Sequence, residues 1–466
     1  MGASISASAE PALAGGSAGA ARVRALADVA MAAVADASAA RPGPVPAGGP
    51  AAVAAALAAV LADGSGVLPT DGVGEERALT ELAGVLAAGS ADPGNPWCAA
   101  HLHGPVLAVA AAADLVGSVL NPSMDSWDQA PAASELEREV TAVLARLCFP
   151  AAGTPDAVLT SGGTESNLVG LLRAREHGRT RIVCGQNAHH SVTRAAWLLG
   201  LPAPRVVPAE HGRLRAADLE LSGGTQEMSG GEIVVATAGT TDTGAIDPLP
   251  EIAAAARAAG AWLHVDAAYG GTALFSTRLA GKLAGLADAD SVALDLHKFG
   301  WQPIAAGVLA TREPITELHV RADYLNADDD TEAGLPDLLG RSIRTSRRPD
   351  CVKIAVTLRA LGRAGIAALV ERCCELAGQV AREAARHPGL ELWGEPELST
   401  LLVRPHHGDV AAIRRRLLED GTAVVGRATV DGRVWLKLTL LNPRATLADY
   451  RGLLDLVDAT ARRTVP

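Results

Sequence analysis

The sequence predicts an α/β protein: a large, mostly parallel sheet of seven strands with helices on both faces, then a small α+β domain. Three observations predict it. Seven short apolar runs fall between residues 157 and 310: Ala157–Thr160, Arg181–Cys184, Arg205–Val207, Glu232–Ala238, Ala261–Val265, Ser291–Leu296 and Gly307–Ala310. Amphipathic helical stretches separate several of them, such as Leu249–Ala259, stopped by Gly260. That alternation belongs to βαβ units, whose strands are buried on both sides. Beyond residue 350 the pattern changes to helices at Val352–Leu361 and Ile366–Arg386, a strand near Leu398–Val403, a helix at Val410–Glu419, a hairpin turning at Asp431-Gly432 and a last helix near Leu447–Ala459,.

Ahead of the sheet, Met1 to Ala20 is rich in Ala, Ser and Gly and is expected to be disordered,. Three alanine-rich helices are expected near Arg22–Ala39, Ala51–Ala62 and Glu75–Ala88, the first two separated by Pro42, Pro44 and Pro46,. Such short helices cannot enclose a core alone, so they should pack on the main domain or on a partner subunit. The expected division is a disordered 1–20, an N-terminal helical segment 21–104, a large domain 105–348 and a small domain 349–466.

A chain of 466 residues suits two or three domains,. With 48% hydrophobic and 20% charged residues it has a globular balance, and a net charge of −11 argues against nonspecific nucleic-acid binding,. Cys98, Cys148, Cys184, Cys351, Cys373 and Cys374 show no metal-type spacing, and the adjacent pair sits in a helical pattern where it packs more readily than it bridges,. The N-terminus lacks a basic stretch followed by an apolar one, and Val106–Leu120 is too short to span a bilayer and is interrupted by Asp114,. A cytoplasmic protein is expected.

In such a sheet the ligand sits beyond the carboxyl ends of the strands. Each strand end therefore matters. After Ala157–Thr160 comes Ser161-Gly162-Gly163-Thr164-Glu165-Ser166-Asn167, opening a helix. Backbone N–H groups, a helix N-terminus and the Thr164 hydroxyl can cradle a phosphate there, although a simple glycine turn with a cap gives the same pattern. After Arg181–Cys184 come His189 and His190, where a histidine can lie against a planar ring or move a proton,. After Glu232–Ala238 stand Gly239, Thr240 and Thr241, small groups suited to a ligand edge. After Ala261–Val265 stands Asp266, a carboxylate that is costly to bury without a cationic partner; it can cap the next helix or hold a protonated ring nitrogen,. After Ser291–Leu296 come His297 and Lys298, on a loop where a lysine amine can form a Schiff base,. Phosphate cradle, ring partner, ring-nitrogen carboxylate and Schiff-base lysine on one side of one sheet together describe pyridoxal phosphate.

These residues resemble the group II family of pyridoxal-phosphate-dependent amino-acid decarboxylases, which includes aromatic-amino-acid, glutamate, diaminobutyrate and siderophore-type lysine decarboxylases. The likeness is carried by Asn121–Glu137 (NPSMDSWDQAPAASELE) and by TSGGTESNL, AHHSVTRA, ATAGTTDTGAIDPL, HVDAAYGG, LHKFGWQP and LKLTLLNP. It implies the fold of type I pyridoxal-phosphate enzymes, like aspartate aminotransferase, and a homodimer with its active site at the interface. It implies that Lys298 carries the cofactor, Asp266 meets the ring nitrogen, Ala268 and His189 cover the two ring faces, and Gly163, Thr164 and His297 hold phosphate. Thr240 would lie at the ring edge. Tyr324, in the polar loop DYLNADDD, matches the place of the family's catalytic lid tyrosine. His101 and His103 would approach the substrate; as a metal pair they lack a third ligand, and no metal is expected. Met124, Asp125, Trp127 and Asp128 could reach the site from a partner subunit, an acidic one among them holding a distal ammonium, or Asp125 or Asp128 could cap the helix near Pro131. Phe299-Gly300-Trp301-Gln302 would form a lip where substrate choice is decided, and Lys437 stands where many relatives carry arginine. The implied reaction is decarboxylation of an L-amino acid, diamino or acidic or aliphatic. Its alternatives are an aromatic substrate, an aminotransferase or aldehyde-forming reaction, and a silent cofactor-binding homologue.

Overall fold

A computed structural model describes residues 12–62, 66–221 and 231–464. Seven strands form one sheet: β1 Asp156–Thr160, β2 Arg179–Gly185, β3 Arg205–Val207, β4 Gly231–Thr237, β5 Trp262–Ala267, β6 Ser291–Asp295 and β7 Gly307–Thr311. Their order is β1-β7-β6-β5-β4-β2-β3, and only β7 runs against its neighbours. The carboxyl ends of the other six therefore open on the same side. Strands β5 to β7 read as apolar runs because almost every residue in them is buried, as helices cover both faces,.

A second sheet lies in the C-terminal part. It joins Cys98–Ala99, Val424–Val430, Arg433–Thr439, Thr400–Pro405 and Leu390–Leu392 in that order. The hairpin turns at Asp431 and Gly432, both with positive φ, as a two-residue turn of this type requires,. One helical run, Cys351–Arg386, serves both sheets. It bends at Gly362, whose φ of 62° a side chain would oppose, so the two helices expected from the sequence are two arms of one bent rod,. Its first arm places Cys351 and Ile354, and the start of its second arm Ile366 and Val370, in the core under the large sheet. Its last turns place Leu376, Ala377, Val380 and Ala384 in the core under the small one. The Tyr269 hydroxyl adds a polar link, 2.8 Å from Ser399 Oγ and 3.0 Å from Thr400 Oγ1.

The first helix begins at Gly16, inside the stretch expected to be disordered. The stretch Gly16-Ser17-Ala18-Gly19-Ala20 carries two glycines that cost helix propensity, and it is helical as the first turn of the longer helix that the alanine-rich residues after it form,. Residues 1–11 lie outside the described residues. Helices Gly16–Ala40, Gly49–Val60 and Glu75–Gly89 form a small layer. Arg22 pairs with Glu75 at 2.6 Å, and the Gly48 N–H donates to Glu419 O at 2.8 Å, which ties the layer to the small-sheet side. Met31 and Leu86 remain 61% and 69% exposed, an apolar face that none of the described residues covers. Among the described residues no helix is long and apolar enough to cross a membrane, and all six cysteines are free thiols.

Candidate active site

The carboxyl ends of the strands enclose a cavity of about 410 Å³. Strand β6 ends at Asp295, where the chain turns into the short helix Leu296–Phe299 that carries His297 and Lys298. Asp295 is 2% exposed and organises this corner. One carboxylate oxygen lies 2.6 Å from His297 Nδ1; the other lies 3.5 Å from Lys298 Nζ and accepts the Gly163 N–H at 3.2 Å. One buried carboxylate thus ties the glycine loop, histidine and lysine together, which offsets part of the cost of burying it.

After β1 the chain makes the turn Ser161–Gly162 and enters the helix Gly163–Glu176. Glu165 accepts the Ser161 N–H at 2.7 Å, closing the loop. Gly163 is packed hard: a Cβ there would lie 2.8 Å from the Ala268 Cβ. The Gly163→Ala enzyme is therefore expected to need roughly 5- to 150-fold more cofactor for half-maximal activity, an overpacking cost of about 1–3 kcal/mol. Activity measured against cofactor concentration checks this, and a parental curve would remove Gly163 from the cradle.

From β5 come Asp266, 5% exposed, and Ala268, 4% exposed. Asp266 accepts the Asn167 side-chain N–H at 2.7 Å and the Ala268 backbone N–H at 3.1 Å. From the loop after β2 comes His189, whose Nδ1 lies 2.8 Å from Ser191 Oγ. Burial pulls the His189 imidazole below its ordinary pKa, against the pull of the Asp266 carboxylate, and His190, Lys298 and Arg194 add to the lowering. Neutral imidazole is thus favoured at neutral pH. From β4, Gly239 and Thr241 line the cavity, while the Thr240 hydroxyl is spent inside its own turn, 2.7 Å from Thr243 Oγ1 and accepting the Ala245 N–H at 3.1 Å. Thr240 lines an adjoining cavity of about 600 Å³ instead, together with His189, Thr241 and Asp242.

The residues fit pyridoxal phosphate. Lys298, Asp266, His189, Ala268, Gly163, Thr164 and His297 all line the one cavity. The glycine loop leaves no room for a side chain, and the buried carboxylate of Asp266 lines the same cavity as the lysine-bearing turn, as a cationic ring with an anionic tail requires.

Other expected residues do not line this cavity, although His101 lies within electrostatic reach of Lys437. His101 and His103 are exposed, and Leu102 between them lines the cavity. Alternation along an extended segment puts the two histidines on one face and Leu102 on the other, and it is the leucine face that turns inward. Tyr324 is 81% exposed and does not line the Lys298 cavity of its own chain. It lines a separate cavity of about 270 Å³ with Trp127 and Asp128. Asp125 is buried and accepts from Gln129 Nε2 at 2.8 Å and from the Ser346 hydroxyl at 3.3 Å, and neither it nor Asp128 caps the helix from Pro131. Nor do residues 299–302 form a lip: Phe299 and Trp301 are within the core, and the Trp301 indole N–H donates to Leu441 O at 2.7 Å. An aromatic residue with a buried polar tip needs such a partner, and this one lies 140 residues away in sequence,.

Three cavity or support residues escape a sequence reading: Asp295, Asn167 and Leu102. Asp295 left a signal, being the one charge inside an apolar strand. Lys437 left the same signal in Arg433–Thr439; it is 6% exposed and donates to Thr241 O at 3.1 Å, which brings the small sheet to the cavity mouth. Burial lowers its pKa, with Asp242 opposing.

Comparison with known proteins agrees with this geometry. Residues 75–404 match the model of the pyridoxal-dependent decarboxylase conserved domain. The chain is 40% identical over 424 residues to an L-2,4-diaminobutyrate decarboxylase of Rhizobium meliloti (strain 1021), covering 86% of this chain and 85% of that protein. It is 32% identical over 435 residues to an L-2,4-diaminobutyrate decarboxylase of Acinetobacter baumannii, covering 84% and 85%. Among solved structures it resembles the glutamate decarboxylase domain of a diaminobutyrate-pyruvate transaminase and L-2,4-diaminobutyrate decarboxylase from Vibrio parahaemolyticus, with a TM-score of 0.83, 28% identity and coverage of 97% and 98%.

Proposed function

This chain belongs to the pyridoxal-dependent decarboxylase family, as an amino-acid carboxy-lyase that uses pyridoxal phosphate, and from that premise we propose L-2,4-diaminobutyrate as its substrate. Loss of CO2 would give 1,3-diaminopropane. The observation that carries the substrate is the likeness, along most of both chains, to two enzymes of that name. Charge at the mouth supports it. Asp242 lines the adjoining cavity and lies within electrostatic reach of Lys437. The two offer a carboxylate to a distal ammonium and an ammonium to the substrate carboxylate.

When bound, pyridoxal phosphate supplies an aldehyde carbon that captures an amine and a protonated ring that accepts the electron pair left as CO2 departs. Gly163, Thr164 and His297 would hold the phosphate, Asp266 the ring nitrogen, His189 and Ala268 the ring faces, and Lys298 the aldehyde carbon. Lys298 would exchange protons with the substrate nitrogen. Tyr324 would deliver a proton to the substrate α-carbon after CO2 leaves.

Because Tyr324 is exposed and shares its cavity with Trp127 and Asp128, we assign this group to the site of a second copy in a homodimer. The uncovered apolar face of the N-terminal helices supports the same assembly. Tyr324→Phe is then expected to cut amine formation by roughly 10²- to 10⁴-fold, the usual size of a lost general acid, with carbonyl products rising. A dimer joining a Lys298→Ala subunit to a Tyr324→Phe subunit should regain activity, since one of its two sites is intact; no recovery in a verified mixed dimer would place Tyr324 in its own subunit's site. The reducing cytoplasm suits the six free thiols,.

The deciding experiment follows CO2 and amine from purified holoenzyme with diaminobutyrate, ornithine, lysine, glutamate, aspartate and the aromatic amino acids. Diaminobutyrate should lead in kcat/KM by at least about tenfold, as expected where a site pairs a charge its competitors lack or misplace. A higher value for an acidic or aromatic amino acid would overturn the substrate.

A further inference from the structure

Asn167 is fully buried on the helix Gly163–Glu176, where an amide is costly unless both of its ends are bonded,. Both are. Its Nδ2 donates to Asp266 Oδ2 at 2.7 Å and to Ser191 Oγ at 2.8 Å. Its Oδ1 lies 3.0 Å from His264 Nε2. The carboxylate fixes which way the amide faces, because the reversed amide would set oxygen against oxygen at 2.7 Å.

His264 stands two residues before Asp266 on β5 and so on the same face of the strand,. It is fully buried, and burial holds its pKa down to about 4, against the pull of Asp266. The ring is neutral at neutral pH. Since Asn167 Oδ1 can only accept, the His264 proton sits on Nε2; Nδ1 then accepts from the Ser291 hydroxyl at 2.8 Å,. Ser191, taking one N–H from Asn167, has its own hydrogen free for His189 Nδ1 at 2.8 Å. Every proton in the array has one place. It runs from Ser291 through His264 to Asn167, and there divides to Asp266 and, through Ser191, to His189.

We infer that Asn167, locked by His264, is a positioning residue that sets the orientation of both Asp266 and His189 toward the bound cofactor ring. This rests on the assignment of Asp266 to the ring nitrogen. Neither Asn167 nor His264 lines the Lys298 cavity, yet one amide group governs the two side chains assigned to flank the ring. A neutral residue suits this position, since a cation in place of Asn167 would compete with the ring for the Asp266 carboxylate.

The test uses the holoenzyme and four variants: Asn167→Leu, Asn167→Ser, His264→Gln and Asp266→Asn. The readouts are the visible absorbance of the bound cofactor titrated with pH, the rate of cofactor loss, and kcat and KM. Asn167→Leu should move the absorbance titration in the direction of Asp266→Asn, by a smaller amount, and lower kcat by roughly 10- to 100-fold with KM little changed, the scale on which residues behind a site act. His264→Gln retains an N–H donor and should fall between parent and Asn167→Leu. Asn167→Ser, a milder cut, serves if the leucine variant does not accumulate, and should shift the titration the same way. A parental titration and kcat in Asn167→Leu, or in Asn167→Ser and His264→Gln together, overturns the inference. A parental Asp266→Asn titration would instead sink the assignment of Asp266, which the Asn167 variants by themselves would not.

Discussion

Lys298→Ala is expected to abolish decarboxylation, lowering kcat/KM by at least roughly 10⁴-fold, the scale on which loss of a covalent group acts. The sequence contains four lysines, Lys282, Lys298, Lys353 and Lys437. Lys353 is 1% exposed and bound to Asp350 at 2.9 Å and Asp114 at 3.2 Å, so its amine is committed. Lys437 is the only rival near the cavity, and its ammonium already donates to Thr241 O. Only Lys298 lines the cavity itself. Borohydride reduction of the holoenzyme followed by peptide mass analysis should therefore find the cofactor on Lys298 alone. Cofactor mass on the Lys437 peptide, or substantial turnover by Lys298→Ala, would refute the assignment.

Asp266→Asn is expected to lower kcat on the order of 10³-fold while cofactor still binds, since one preorganised electrostatic contact is worth about that much. The substitution keeps the shape and removes the charge. Asn167 and the Ala268 N–H both donate to Asp266. An amide at 266 could still accept one of these, but it could no longer hold a proton on the ring nitrogen by charge. The substitution leaves Gly163, Thr164 and His297, the residues proposed to hold the phosphate, untouched, which separates a chemical defect from a binding defect. An Asp266→Asn enzyme with kcat within a few-fold of the parent would show that the ring needs no anionic partner.

Much of the scaffold was legible because burial on both faces writes continuous apolar runs. Each of the seven strands lies within two residues of its expected limits, from Ala157–Thr160, observed as Asp156–Thr160, to Gly307–Ala310, observed as Gly307–Thr311. The strand-end rule then gathered the residues of the cavity without any knowledge of contacts. What it could not reach depends on distant partners. Asn167 reads as one more polar residue on a helix; its importance comes from His264 and Asp266, 97 and 99 residues away. Trp301 reads as a lip residue until Leu441 is seen to accept its N–H. Leu102 stands between two more reactive neighbours, and alternation tells that two residues share a face but not which face turns inward. Tyr324 is a different case, since its surroundings depend on what lies beyond one chain.

The bent helix Cys351–Arg386 has a consequence for how the molecule fails. It is part of the wall of both hydrophobic cores, so the two sheets share one lining element. Denaturant that loosens the small sheet withdraws Leu376 and Val380 from it and, through the same rod, strains the seat of Ile366 and Val370. It also frees Lys437 from the cavity mouth and Ser399 from Tyr269. Through that shared helix, loosening of one sheet is expected to carry over to the other and to the catalytic cavity. Heat inactivation and global unfolding should be a single event.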